Sequence, residues 1–185
     1  MQIENLDIPD VKLITLRAYG DARGALAESF SRRRFEDAGL PGDFPQSNLS
    51  YSRDRGTVRG LHYQKPPHAQ GKLVQVMAGA ILDVAVDLRQ DSPTFGKHVA
   101  VRLEAGDWRQ LYVPAGFAHG FCTLMPETTV HYNLTDYYAP DCEGGVLWHD
   151  PSLGIDWPVN AAAATVSEKD SRWLPLAETA ADELF

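Results

Sequence analysis

From Leu73 to Thr135 glycines and prolines recur at intervals of 2 to 14 residues, and that punctuation leaves no room for a long helix. Leu73–Met77 ends at Ala78-Gly79, and Ile81–Leu88 follows. Ser92-Pro93-Thr94-Phe95-Gly96 turns the chain into His98–Leu103, and Glu104-Ala105-Gly106-Asp107 turns it into Trp108–Val113. Pro114-Ala115-Gly116 and Pro126-Glu127 then frame His119–Leu124 and Thr128–Thr135. Leu82, Val84, Val86 and Leu88 share one face of an extended chain, with Asp83 and Asp87 on the other, and Val99, Val101 and Leu103 alternate in the same way. Short alternating strands at this spacing predict an antiparallel sandwich or barrel. Upstream, Val11–Leu16 and Ala25–Phe30 read as strands about the turn Asp21-Ala22-Arg23-Gly24. Two helices are expected: one at Arg32–Ala38, capped by Ser31 and closed by Gly39, and one opened by Pro175 and running through Leu184. The fold class is therefore mainly β with a few short helices, in one domain spanning residues 1–185.

Composition narrows the partners. Seventeen basic and 25 acidic residues give a net charge of −8, which suits neither general nucleic-acid binding nor an anionic membrane surface. With only Cys122 and Cys142, the chain has no disulfide framework and no cysteine-rich zinc site. Met1-Gln2-Ile3-Glu4 lacks the basic start and apolar run of a signal peptide, so a cytoplasmic location is expected. Six histidines invite a metal, yet His62, His68, His98, His119, His131 and His149 are scattered without ligand spacing, and no metal site is expected.

Chemistry concentrates in two segments. Gly60, His62 and Gln64 share one face of a regular strand and Arg59, Leu61 and Tyr63 the other, so a histidine and a bare backbone position adjoin. A solvated surface strand would look alike; Gly60 tips the balance by allowing close backbone approach to a ligand. Pro114–Phe121 sends His119 from a tight turn into an aromatic-flanked strand, where a core histidine bonded to backbone is an equal alternative. Tyr132 shares its face with Val130 and Leu134, the usual setting of a core tyrosine. Tyr137-Tyr138 reads as an aromatic platform or as strand-end packing, and Ser167-Glu168-Lys169-Asp170 as a solvated charged turn.

In order and spacing these segments resemble the dTDP-4-dehydrorhamnose 3,5-epimerase family. The resemblance rests on Asp21-x-Arg23-Gly24, Gln46-x-Asn48, Val58-Arg59-Gly60-Leu61-His62-Tyr63-Gln64 and Gln70-Gly71-Lys72-Leu73-Val74. It continues through Asp83–Arg89, Ser92–Gly96, Pro114–Phe121, Asp150–Pro158 and Ser167–Asp170. It implies a cupin-like jelly roll that forms a homodimer with exchanged N-terminal strands. The implied reaction inverts C3 and C5 of a dTDP-4-keto-6-deoxyhexose, in deoxysugar or dTDP-L-rhamnose biosynthesis. The substrate's own C4 ketone acidifies both flanking carbons, so no cofactor is expected.

By the same resemblance His62 is the proton acceptor, Asp170 the carboxylate that orients it, Tyr132 the donor on the opposite face and Lys72 the cation beside the keto oxygen. His119 and Asn48 line the sugar pocket; Arg23, Arg59, Gln46 and Lys169 hold the diphosphate and nucleoside. Glu28 and Glu143 match nucleotide-contacting carboxylates, and Tyr138 the residue stacked on thymine. Arg59 and His62 are an odd number of positions apart, so either the backbone bends at Gly60 or one of them reaches the site around an edge. Asn133 departs from the lysine that often follows the donor tyrosine; alternation turns it away from the Tyr132 face. Single-carbon epimerases share most of these motifs, and a non-catalytic sugar-nucleotide binder of the same fold is the reading from a different class.

Overall fold

The computed structural model describes residues 1–185. In chain order its strands are β1 (Gln2–Asn5), β2 (Lys12–Thr15), β3 (Ala18–Asp21) and β4 (Gly24–Ala27), followed by the helix α1 (Arg32–Asp37). Then come β5 (Gln46–Ser52), β6 (Val58–Gln64), β7 (Lys72–Ala78), β8 (Ala80–Asp87), β9 (His98–Glu104), β10 (Arg109–Val113), β11 (Phe117–Thr123), β12 (Thr128–Leu134) and β13 (Glu143–Gly145). One sheet runs β1-β2-β10-β7-β12-β5, the other β13-β6-β11-β8-β9, and β3 with β4 forms a separate hairpin. All pairings between these strands are antiparallel, as the short punctuated runs predict.

The two sheets face each other across a core of Val74, Val76, Ile81, Ala85, Val101, Leu103, Leu111, Phe117, Phe121 and Val130 with their neighbours. Each Val, Leu, Ile or Phe side chain removed from water there contributes about 1.5–3 kcal/mol, so this layer is a main source of stability. The outer face of the five-stranded sheet is covered as well. Val58, Leu61, Tyr63, Val84, Val86 and Leu88 pack there beneath Trp148, Leu153, Trp157 and the C-terminal segment. That cover explains why β8 is buried along nearly all its length rather than half-solvated.

The helix at Arg32–Asp37 lies where expected, with Gly39 in the left-handed region at φ +72°, but Ser31 makes no side-chain cap. The expected C-terminal helix does not form. Two single 3₁₀ turns, Leu176–Glu178 and Ala181–Glu183, stand in its place, separated by extended backbone at Thr179 and Ala180. The tail's hydrogen bonds go to the sandwich instead: Phe185 N–H donates to the Leu88 carbonyl, Gln90 N–H to the Phe185 carbonyl and the Tyr63 hydroxyl to the Glu183 carbonyl. Tertiary partners thus outbid a weak helix that would have had to stand alone.

At Gly60, β6 lies directly against the backbone of β11. Its φ is +127°, and a Cβ built there would lie 2.6 Å from Gly120 Cα and 2.8 Å from the His119 carbonyl oxygen, both backbone. Gly60→Ala is therefore expected to destabilise the fold by roughly 3 kcal/mol or more. Gly20→Ala, whose Cβ would meet only one atom at 3.7 Å, serves as the neutral control. Thermal unfolding of the two variants checks this, and equal midpoints would contradict it.

Candidate active site

The edge between β5 and β6 opens into a cavity of about 460 Å³, a size suited to a small-molecule ligand. Arg59, His62, Lys72, His119, Tyr132, Lys169 and Asp170 all line it. A second hollow shares His62, Lys72 and Tyr132 and adds Asn48, Gln64, Gln70, Tyr138 and Glu143. The interior stripe of the sandwich thus turns from apolar to polar at this end: Val76 and Val74 lead to Lys72 along β7, and Val130 leads to Tyr132 along β12.

His62 belongs to the five-stranded sheet and Tyr132 to the six-stranded one, so the two face the cavity from opposite walls. The His62 Nε2 lies 2.6 Å from Asp170 Oδ1, and the Gly60 N–H donates to Asp170 Oδ2 at 3.1 Å. A carboxylate only accepts there, so Nε2 carries a hydrogen and Nδ1 is the nitrogen left to take a proton. Burial pushes the Asp170 carboxyl up, but the His62 hydrogen bond and charge, the Gly60 N–H and the Ser167 hydroxyl outweigh it and hold the group below the ordinary carboxylate range. Asp170 reaches this place because Thr165 bridges to Thr57 beside β6 and Trp173 lies against Gly145, where a Cβ would strike the ring.

Lys72 donates from Nζ to the His62 carbonyl oxygen at 3.1 Å. Burial brings its ammonium down to about 8, against the pull of Asp83 and Glu143. His119 pairs through Nε2 with Asp83 Oδ1 at 2.7 Å. Around the rim Lys169 Nζ meets Glu143 Oε2 at 2.5 Å, and the Tyr138 hydroxyl donates to the same oxygen at 2.9 Å. The Tyr138 N–H donates to Gln46 Oε1, and Gln46 Nε2 to Asn48 Oδ1. Arg59 donates to the Ser52 hydroxyl and the Tyr51 carbonyl, with no carboxylate partner, which keeps its positive charge available to an anion.

The parity problem at Arg59 resolves by a bulge. His62 pairs with His119 and Arg59 with Phe121, so three steps on β6 match two on β11 and both side chains reach the cavity. The expectation that Gly60 admits a ligand is corrected: its missing side chain admits the backbone of β11, and its N–H serves Asp170. Within Ser167–Asp170, the residues Ser167, Lys169 and Asp170 line the cavity; Asp170 is buried, while the other three stay exposed as in a solvated turn. Asn133, as alternation predicted, is not among the cavity residues.

Arg23 and Glu28 stand apart. Arg23 sits at the tip of the β3–β4 hairpin in an exposed ion pair with Asp21 at 2.5 Å, and Glu28 pairs with Arg34 at 3.2 Å beside another hollow. Sequence reasoning gave no role to Asp83, Ser50 or Ser167. Asp83 meets its histidine 36 positions away, a separation no local motif reports.

The family described as dTDP-4-dehydrorhamnose 3,5-epimerase matches residues 5–178. The chain belongs to that family. The dTDP-4-dehydrorhamnose 3,5-epimerase of Pseudomonas aeruginosa is 50% identical over 171 residues, covering 92% of this chain and 93% of the relative. The crystal structure of dTDP-6-deoxy-D-glucose-3,5-epimerase from Legionella pneumophila, in complex with dTDP-4-keto-L-rhamnose, is 43% identical with a TM-score of 0.93, covering 99% of this chain and 96% of that one. A 3'-monoepimerase from Streptomyces bikiniensis, in complex with dTDP-quinovose, is 35% identical with a TM-score of 0.86, covering 94% and 87%.

Asp170 binds its proton less readily folded than unfolded, so it contributes stability that is complete above its ordinary value of 3.8 and lost as pH falls through the lower folded value. Asp170→Asn is expected to lower the unfolding midpoint near pH 7 and to differ from wild type progressively less as pH falls below 3.8. Thermal melts over that range check it; a difference independent of pH would contradict it.

Proposed function

We propose that this chain inverts C3 and C5 of dTDP-4-dehydro-6-deoxy-D-glucose to give dTDP-4-dehydro-L-rhamnose. One observation carries the mechanism: a carboxylate-oriented imidazole and a phenol face one cavity from opposite sheets, with a lysine beside the imidazole's own strand. His62 Nδ1 removes the proton from the carbon next to the C4 ketone, and the electron pair moves onto the ketone oxygen. The Lys72 ammonium stabilises that oxyanion. Tyr132 returns a proton from the other face, which inverts the carbon; Asp170 stabilises the imidazolium formed meanwhile. A binding module needs neither an oriented base nor an acid across from it. The chain's 50% identity to a 3,5-epimerase, against 35% to a 3'-monoepimerase, supports inversion at both carbons.

Arg59, Gln46 and Lys169 take the diphosphate and nucleoside, with Tyr138 stacking on the base and Glu143 beside it; Asn48 and His119 line the sugar. No helix of the chain is long and apolar enough to cross a membrane. The working unit is a homodimer that exchanges N-terminal strands, so that Arg23 and Glu28 complete the partner's cavity. Exposed Tyr19 and Leu26 on the hairpin, and Leu49, Tyr51 and Met77 on the outer face of the six-stranded sheet, give such an assembly an apolar surface to cover.

Incubation with the 4-keto-6-deoxyglucose nucleotide in heavy water is expected to place deuterium at C3 and C5. His62→Ala should cut exchange by roughly 10²–10⁴-fold, and Tyr132→Phe should impair inversion more than proton removal. Exchange at one carbon only would reassign the chain as a single-carbon epimerase, and none at either would refute the activity. Sedimentation is expected to give a dimer, with Arg23→Ala weakening dTDP affinity; a monomer of full activity would refute the exchange of strands.

A further inference from the structure

His62 and His119 are cross-strand partners on β6 and β11, and both line the cavity. Each carries a carboxylate on Nε2: Asp170 for His62, Asp83 for His119. The mechanism uses the first pair and leaves the second without a task. Asp83 is fully buried on β8, and its Oδ2 meets no hydrogen-bond donor. Burying a carboxylate there costs several kcal/mol, and the His119 contact at Oδ1 is what offsets it.

A carboxylate oxygen 2.7 Å from an imidazole nitrogen accepts, so His119 Nε2 carries the hydrogen whatever the ring's charge. The chemistry then turns on Nδ1, which bonds to no protein group while the ring borders the cavity. Burial lowers the affinity of the ring for a second proton; Asp83 opposes this, and the charges of Lys72 and His62 add to it, with a net fall below the ordinary imidazole range. The ring is therefore neutral near pH 7, and Nδ1 is a bare lone pair. Around it the cavity's three cations, Arg59, Lys72 and Lys169, can only donate. These suit phosphate and keto oxygens but not the hydrogen of a sugar hydroxyl.

We infer that Asp83 is a positioning residue that holds His119 in the Nε2–H tautomer, so that Nδ1 accepts a hydrogen bond from a hydroxyl of the sugar ring. This rests on the sugar-nucleotide reading above and extends it from reaction to specificity. A ligand without that hydroxyl would leave the lone pair desolvated and unpaired, the arrangement by which sites reject deoxy analogues most strongly.

The test begins with the wild-type protein, histidine-labelled with ¹⁵N and free of ligand. Long-range proton–nitrogen spectra near pH 7 are expected to show His119 with protonated Nε2 and unprotonated Nδ1; a protonated Nδ1 overturns the inference. Asp83→Asn can offer an N–H to Nε2 and should move the ring toward the Nδ1–H form. In that variant KM for the 4-keto sugar nucleotide should rise roughly tenfold, while kcat falls by a smaller factor and dTDP, which lacks the sugar, binds as in wild type. A folded variant with wild-type KM overturns the inference, as does an equal loss of dTDP affinity. Should Asp83→Asn fail to fold, the wild-type spectrum still decides. The tautomer is read without substrate, so failure of the epimerase reading, seen as absent exchange in wild type, is separable from failure of this one.

Discussion

The Asp170 carboxylate ties the C-terminal segment to the heart of the sandwich. One oxygen accepts from His62 and the other from the Gly60 backbone, so a single buried side chain both orients the base and pins the wall of the cavity to β6. Much else is arranged around that contact. The bridge between Thr57 and Thr165 runs the segment alongside β6, and Trp173 seats on Gly145 just beyond the turn. The bulge at Gly60 frees its N–H for the carboxylate while it turns Arg59 inward. Without the segment His62 would be one more polar residue on a strand of the five-stranded sheet.

The net charge of −8 and the cavity's cations are compatible because they act at different scales. A polyanion samples the whole surface, where acidic residues predominate. A small dianion meets one pocket, where Arg59 has no carboxylate partner and Lys72 has only a carbonyl. The acidic groups near the pocket are already engaged: Asp170 by His62, Asp83 by His119 and Glu143 by Lys169 and Tyr138. What the fold presents to a ligand is thus more positive than the composition.

Much of the architecture was legible because glycine, proline and strict alternation are local signals. Ile81–Leu88 and His98–Leu103 declared themselves by side-chain period, and β8 and β9 fall at nearly those residues. The tail was misread for the complementary reason. Pro175 and the residues after it carry a helical pattern, yet their hydrogen bonds go to Leu88, Gln90 and Tyr63, partners about 90 to 120 positions away. Site residues followed the same division. His62 and Lys72 stand inside compact motifs, whereas Tyr132 reads as a core tyrosine, Asp83 becomes informative only beside His119, and Arg23 only in relation to whatever covers its hairpin.

By itself the sequence determined the strand-rich class, the family and the set of reactive groups, since punctuation, period and motif order are written along the chain. Tertiary structure alone decided which groups meet. It placed His62 and Tyr132 on facing sheets, brought Asp170 back across 108 positions, and converted an odd spacing into a shared face through one bulge. Catalytic geometry is a property of cross-strand register and long-range return, and neither has a local period for a sequence to display.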